Sequence, residues 1–236
     1  MKTKSFLTML CVGMAIATNA CGGNVDQTNF KYKIDGKTNY IPDNQNIILA
    51  HGIYSGQKPL DKQIITTLKV QKGSFSFEGV ARQPEACTLY LPAEGAFMPV
   101  ILEKGTIQVV FDEDPIKTFV KGTPLNDSLH NLAKINIRCA ELFEQQLKGV
   151  HNPPTTEEIN KIERLQRQFQ NEIGNIHYAC ALRNIQNELG FFLIVSSRKF
   201  FTLEQLANLL VKLPKQKHDH PIIRELDNLV IENLQK

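Results

Sequence analysis

Three short stretches of the 236-residue sequence carry side chains dense enough for chemistry. His218-Asp219-His220 offers two imidazoles and a carboxylate, donors that a zinc ion takes. A stable zinc site needs three or four ligands on rigid elements, and this triplet falls between Lys217 and Pro221, in an interhelical loop. It is read as a solvated helix cap. Asp112-Glu113-Asp114 offers hard oxygens for calcium, yet it lacks the Asx spacing and distal glutamate of a calcium loop and is read as an acidic turn. Asn126-Asp127-Ser128, after Thr123-Pro124, sets a hydroxyl beside a carboxylate. No positioned histidine and no G-x-S-x-G accompanies it, so capping and turn chemistry explains it better. The expectation is no catalytic residue, no metal ligand set and no cofactor.

Cysteine chemistry divides in two. Residues 17–24 read ATNACGGN and close an apolar run, Phe6 to Thr18, that follows Lys2 and Lys4. That run is too short to span a bilayer, which takes about 20 residues, and has the length of a secretory signal. TNA-Cys resembles a bacterial lipoprotein box, with Cys21 as the acylated residue, although Thr18 and Asn19 depart from the preferred types. Cleavage after Ala20 by the ordinary signal peptidase is the alternative. Gly22 to Thr28 reads as a flexible tether behind the anchor. Further on stand Cys87, Cys139 and Cys180, spaced by 52 and 41, with no C-x-x-C anywhere. Cys139 and Cys180 each fall on the apolar face of a predicted helix. A disulfide between them and two separate core thiols both satisfy that pattern, and Cys87 reads as a packed strand residue.

The elements that must hold these residues have two periods. From Phe30 to about Val120 the pattern alternates, as in Phe30, Tyr32, Ile34 and in Cys87, Leu89, Leu91. Ile64, Thr66, Leu68 and Val70, then Lys72-Gly73, then Phe75 and Phe77 read as a hairpin. Met98 to Leu102, Ile107 to Phe111 and Thr118 to Val120 follow. About seven or eight short strands with no helix between them predict an antiparallel β-sandwich or partly open barrel. After Pro124 the spacing turns helical: Leu125, Leu129, Leu132, Ile135, Cys139, Leu142 and Phe143 form one stripe. Thr155 with Glu158 and Thr202 with Gln205 are capping boxes at the starts of later helices, and Pro221 suits the first turn of the last one. The fold class is α+β. Residues 1–20 are read as a signal peptide, 21–28 as the tether, 29–122 as a β domain and 123–236 as a helical domain.

The segments KYKIDGK (31–37), VQKGSFSFEGVARQP (70–84), FMPVILEKGTIQVVFD (97–112) and VKGTPLNDSLHNL (120–132) occur in that order. Together they resemble the N-terminal domain of unknown function of Bacteroides-type exported thiol-disulfide oxidoreductases (TlpA/AhpC-like lipoproteins). The likeness is good over residues 29–135. In that family a thioredoxin-like domain with W-C-x-x-C would be expected to begin about where this sequence ends, at Lys236. The sequence has neither tryptophan nor C-x-x-C, so the resemblance implies fold and compartment and does not extend to the reaction.

Charge narrows the partners. The formal net charge is +3, and without residues 1–20 it falls to 25 basic against 24 acidic residues. That field is too weak, and too unclustered, for nucleic acid. The expected protein is an exported, non-catalytic lipoprotein of the cell envelope, lipid-anchored through Cys21, with the outer membrane as the expected location. Its β domain would bind or scaffold an envelope protein, a peptide or a glycan, and Tyr40, Tyr54 and Phe97, read as exposed aromatics, are candidates for lining such a face. The alternative is an accessory of a thiol-disulfide pathway that acts with a redox domain in trans.

Overall fold

The structure, a computed structural model, describes residues 29–52 and 63–234. The predicted leader, Cys21, the tether and Tyr54 lie outside the described residues. Eight strands come first: β1 Phe30–Thr38, β2 Asn46–His51, β3 Ile64–Lys69, β4 Ser74–Ala81, β5 Glu85–Leu91, β6 Ala96–Leu102, β7 Gly105–Phe111 and β8 Phe119–Lys121. Five helices follow: α1 Pro124–Gln146, α2 Thr156–Arg183, α3 Glu188–Ser197, α4 Leu203–Lys212 and α5 Pro221–Leu234. The α+β expectation holds, as a β region followed by a helical one.

The strands form two four-stranded sheets, ordered β4-β1-β7-β8 and β3-β2-β5-β6. All pairings are antiparallel except β1 with β7, which run parallel from Tyr32 beside Gly105 to Thr38 beside Phe111. The predicted β3–β4 hairpin is corrected: the two strands belong to different sheets. Lys72 and Gly73 do make the tight turn, both at positive φ, and Gln71 bridges Ser74 across it. Just before the turn, however, Val70 exchanges backbone hydrogen bonds with Asn44 and Gln45 instead of continuing beside β4. Val70 is fully buried, so the chain passes between sheets there and the turn becomes a corner. Strand β2 carries no alternation, because four consecutive residues, Ile47 to Ala50, are buried. A strand covered on both faces reads as a plain apolar run.

Two glycines explain the motif spacings in the first sheet. Gly36 of β1 pairs with Phe75 of β4, whose ring fills the space a side chain would take, with ring carbons 1.9–2.2 Å from where a Cβ would stand. Gly79 of β4 pairs with Tyr32 of β1, and its missing Cβ would meet the phenol in the same way. Each aromatic thus lies over the glycine opposite, and the I-x-G and G-x-F-x-F-x-G spacings are the trace of that packing.

Inward residues of both sheets and the buried stripes of the helices share one apolar core. Ile34, Ile107, Leu49 and Leu89 belong to it together with Leu129, Leu132, Leu193, Leu209 and Ile223. Helix α3 is apolar on all sides and buried almost throughout, as its FFLIV run requires. Asn187 caps it through Leu189 and Gly190, and both predicted capping boxes are present at α2 and α4. The α1 stripe is only partly buried. Leu129, Leu132, Cys139 and Phe143 are covered, but Ile135 is 45% and Leu142 47% exposed. No residue of α2 before Ile173 is buried. The far end of the α1–α2 pair therefore rests on its own contacts, such as Phe143 against Phe169 at 5.2 Å.

His177 sits where α2 enters the core, 5% exposed. Its Nδ1 lies 2.7 Å from the Ser197 hydroxyl and its Nε2 3.0 Å from Asn136 Oδ1. An amide oxygen only accepts, so Nε2 carries the proton and donates it, while Nδ1 accepts from Ser197. Burial holds this imidazole neutral, with its pKa down at about 4. The unfolded chain, titrating near 6.5, takes up the proton first as pH falls, so stability is lost between about pH 6.5 and 4. From pH 7.5 to pH 5, urea unfolding should show wild type losing about 2 kcal/mol more than His177→Gln loses over the same interval.

Candidate functional site

The three sequence clusters resolve into structural roles. His218 Nδ1 meets Asp227 at 3.0 Å, and Asp219 meets Arg224 at 2.7 Å. His220 caps α5: its Nδ1 accepts from the Ile222 amide, its carbonyl accepts from Arg224, and its ring stands edge-on to Phe191. The triplet thus serves three separate partners. Asp112 and Asp114 accept from backbone amides two residues on, and Asp112 also accepts from Asn39 at 2.8 Å. Asp127 accepts from the Gly122 amide, and the Ser128 hydroxyl donates back to the Pro124 carbonyl. Neither is aimed at the other.

Asn126 does more than a turn residue. It is fully buried, and its amide group donates to the Ile101 carbonyl at 2.7 Å and to Thr123 Oγ1 at 2.8 Å. Its Oδ1 accepts from the Ile101 amide at 2.9 Å. Beside it Glu103 Oε1 accepts from the amides of Leu125 and Asn126, at 2.8 and 3.2 Å. The N-cap residue Thr123 receives no amide through its own side chain, so α1 takes its cap from a carboxylate on the strand side.

Cys139 and Cys180 are separate buried thiols in the structure, as is Cys87. Burial pushes all three thiols up in pKa, away from the thiolate form that attacks disulfides. Tyr40 and Phe97, considered together as a binding face, are half-buried in different clusters. Tyr40 packs on the main core, whereas Phe97 stacks on Tyr90 at 4.7 Å.

Two features remain that sequence spacing passes over. The first is a surface trough of about 870 Å³ on the outward side of the sheet β4-β1-β7-β8. Alternation along the strands sends Ile34, Val109 and Phe75 inward and leaves Asp35, Lys37, Ser74, Ser76, Gln108 and Val110 outward in cross-strand register. Lys69 and Gln71 line the end at the β3–β4 corner, and Phe119 lines the β8 side. Lys121 lies over the Phe119 ring at 4.4 Å. Burial raises the Asp35 carboxyl, but its bonds to Ser76 at 2.7 Å and Lys33 at 3.0 Å together outweigh that and hold it below the usual range. Lys37 and Lys69 form no ion pair with any described residue. The trough therefore offers two unpaired cations, a row of amides and hydroxyls, and one aromatic ring.

The second feature is a cluster of His51, Glu85 and Cys87, whose donor atoms all lie within 4.8 Å of one another. His51 ends β2, directly across from Cys87 on β5, and Glu85 is two residues before Cys87 on the same face. His51 Nδ1 and Glu85 Oε1 are 2.6 Å apart, and this bond raises the imidazole pKa. His51 stands 34 and 36 positions before the other two, on a different strand, so only the β2–β5 register could have brought them together.

Residues 29–129 match the family model described as a domain of unknown function (DUF4369). The match spans all eight strands and stops within the first turns of α1, just past the Asn126 clamp. No curated protein matches the chain.

Replacing Asn126 with Ala leaves the Ile101 amide and carbonyl buried without their partner. Urea unfolding should show a loss of roughly 2–4 kcal/mol, whereas Ser128→Ala should stay within about 0.5 kcal/mol.

Proposed function

We propose that this chain is a non-catalytic envelope lipoprotein whose β domain holds a partner or ligand against the outward face of the sheet β4-β1-β7-β8. The observation that carries this reading is the trough itself. Its cations, amides and hydroxyls beside one aromatic ring suit an extended peptide or a glycan bearing negative charge. The lipoprotein part rests on Cys21 and its flanking residues, with acyl chains contributing roughly 0.8 kcal/mol per buried methylene.

The relation to thiol-disulfide oxidoreductases rests on the four ordered segments and is kept as the second reading, an accessory that works with a redox domain in trans. Three buried thiols of raised pKa favour the binding reading over chemistry of the chain's own.

Two variants separate location from recognition. Cys21→Ser should move the protein from the membrane to the soluble fraction with its circular dichroism unchanged; unchanged membrane association would remove the anchor from the account. Affinity capture from detergent-solubilised envelope should recover a partner with wild type. The double variant Lys37→Glu, Lys69→Glu should retain at most about a tenth as much. Equal recovery by both would place recognition elsewhere, and insulin reduction that appears only with a captured thioredoxin-like protein would favour the second reading.

A further inference from the structure

The His51–Glu85–Cys87 cluster lies at the ends of β2 and β5, apart from the trough, and no role has been given to it above. Its donors are one imidazole nitrogen, one carboxylate oxygen and one sulfur, the mixed set that suits zinc better than magnesium or calcium. Three protein ligands plus one open position is also the coordination count of exposed zinc centres.

Distances support the fit. Zinc bonds of about 2.0–2.3 Å in a tetrahedron place ligand atoms roughly 3.3–3.8 Å apart. Here the pair His51 Nδ1 and Glu85 Oε1 must open from 2.6 Å, and no pair of donors must close from more than 4.8 Å. Small side-chain rotations accomplish both, since His51 and Glu85 are 54% and 38% exposed and free to turn. The backbone beneath is fixed. His51 and Cys87 are a cross-strand pair, the Gly52 amide donates to the Ala86 carbonyl at 3.2 Å, and the Thr88 hydroxyl donates to the Gly52 carbonyl at 2.8 Å.

Charge also balances. One thiolate and one carboxylate neutralise a divalent ion, so the complex that meets the buried side of the cluster carries no net charge. Glu188, a buried carboxylate near Cys87, is already held by Lys217 at 2.6 Å and by the Ala86 amide at 3.3 Å. It is not available as a ligand.

We propose that His51, Glu85 and Cys87 form a zinc-type divalent metal site at the paired ends of β2 and β5, with its fourth position open to solvent. Binding displaces the Cys87 thiol proton to water and moves the His51 proton from Nδ1 to Nε2, leaving Nδ1 for the metal. The ion then links the two strands where their pairing ends.

Titration of the tag-free, reduced full chain in detergent with Co²⁺ tests this, followed by displacement with Zn²⁺. The expected result is one ion per chain, visible bands of tetrahedral cobalt and a near-ultraviolet thiolate-to-cobalt charge-transfer band. Cys87→Ser should abolish the charge-transfer band. Because that variant alters a buried residue, His51→Ala and Glu85→Gln at the exposed positions serve beside it, and each should weaken binding at least tenfold. The double variant His218→Ala, His220→Ala should bind as wild type does. No charge-transfer band, or binding insensitive to His51→Ala and Glu85→Gln, would overturn the site.

Discussion

The carboxylate of Glu103 supplies what α1 lacks in its own sequence. A helix start leaves backbone amides without partners, and here two of them, at Leu125 and Asn126, turn to a side chain just beyond the end of β6. Asn126 returns the bond by pairing both backbone groups of Ile101. A buried polar junction of this kind is favourable only when every member is satisfied. No buried side-chain nitrogen or oxygen among the described residues is without a partner. Glu188 makes a second junction, from the start of α3 to β5 and to Lys217. These two carboxylates fix where the helices meet the sheets, and the common core fills in around them.

That arrangement decides which surfaces remain for recognition. The inner sides of the sheets are occupied by apolar side chains, and α3 is covered almost completely. The first sheet keeps its outer side for solvent, and its strands alternate polar outward with apolar inward, as one-sided sheets do. A binding role therefore falls most naturally on residues that the core does not need. Lys37, Gln108 and Phe119 contribute little to burial and stand together only because three strands are in register.

Much of this was legible in the sequence, for physical reasons that differ by element. Strands with one wet face announced themselves by alternation, and helices α2, α4 and α5 by Thr-x-x-Glu, Thr-x-x-Gln and Pro. Strand β2 did not, because burial on both sides erases the alternation. The β3–β4 corner looked like a hairpin since Lys72-Gly73 has the chemistry of a tight turn whichever sheet the flanking strands join. Asn126 looked like a cap, and its partner Ile101 could be found only from the fold. Site legibility was lower still. The trough and the His51–Glu85–Cys87 cluster are both assembled across strands, while the dense triplets at 112–114 and 218–220 spend their side chains on local backbone and neighbouring charges.

On the binding reading proposed above, the outward face of the first sheet is where this protein meets its partner. A photo-crosslinking residue placed at Gln108 in the trough, and separately at Gln166 on the exposed part of α2, tests it in intact cells. A discrete higher-mass adduct is expected from position 108 and none from position 166. Adducts from position 166 alone, or none from position 108 while the protein is folded and exported, would contradict it.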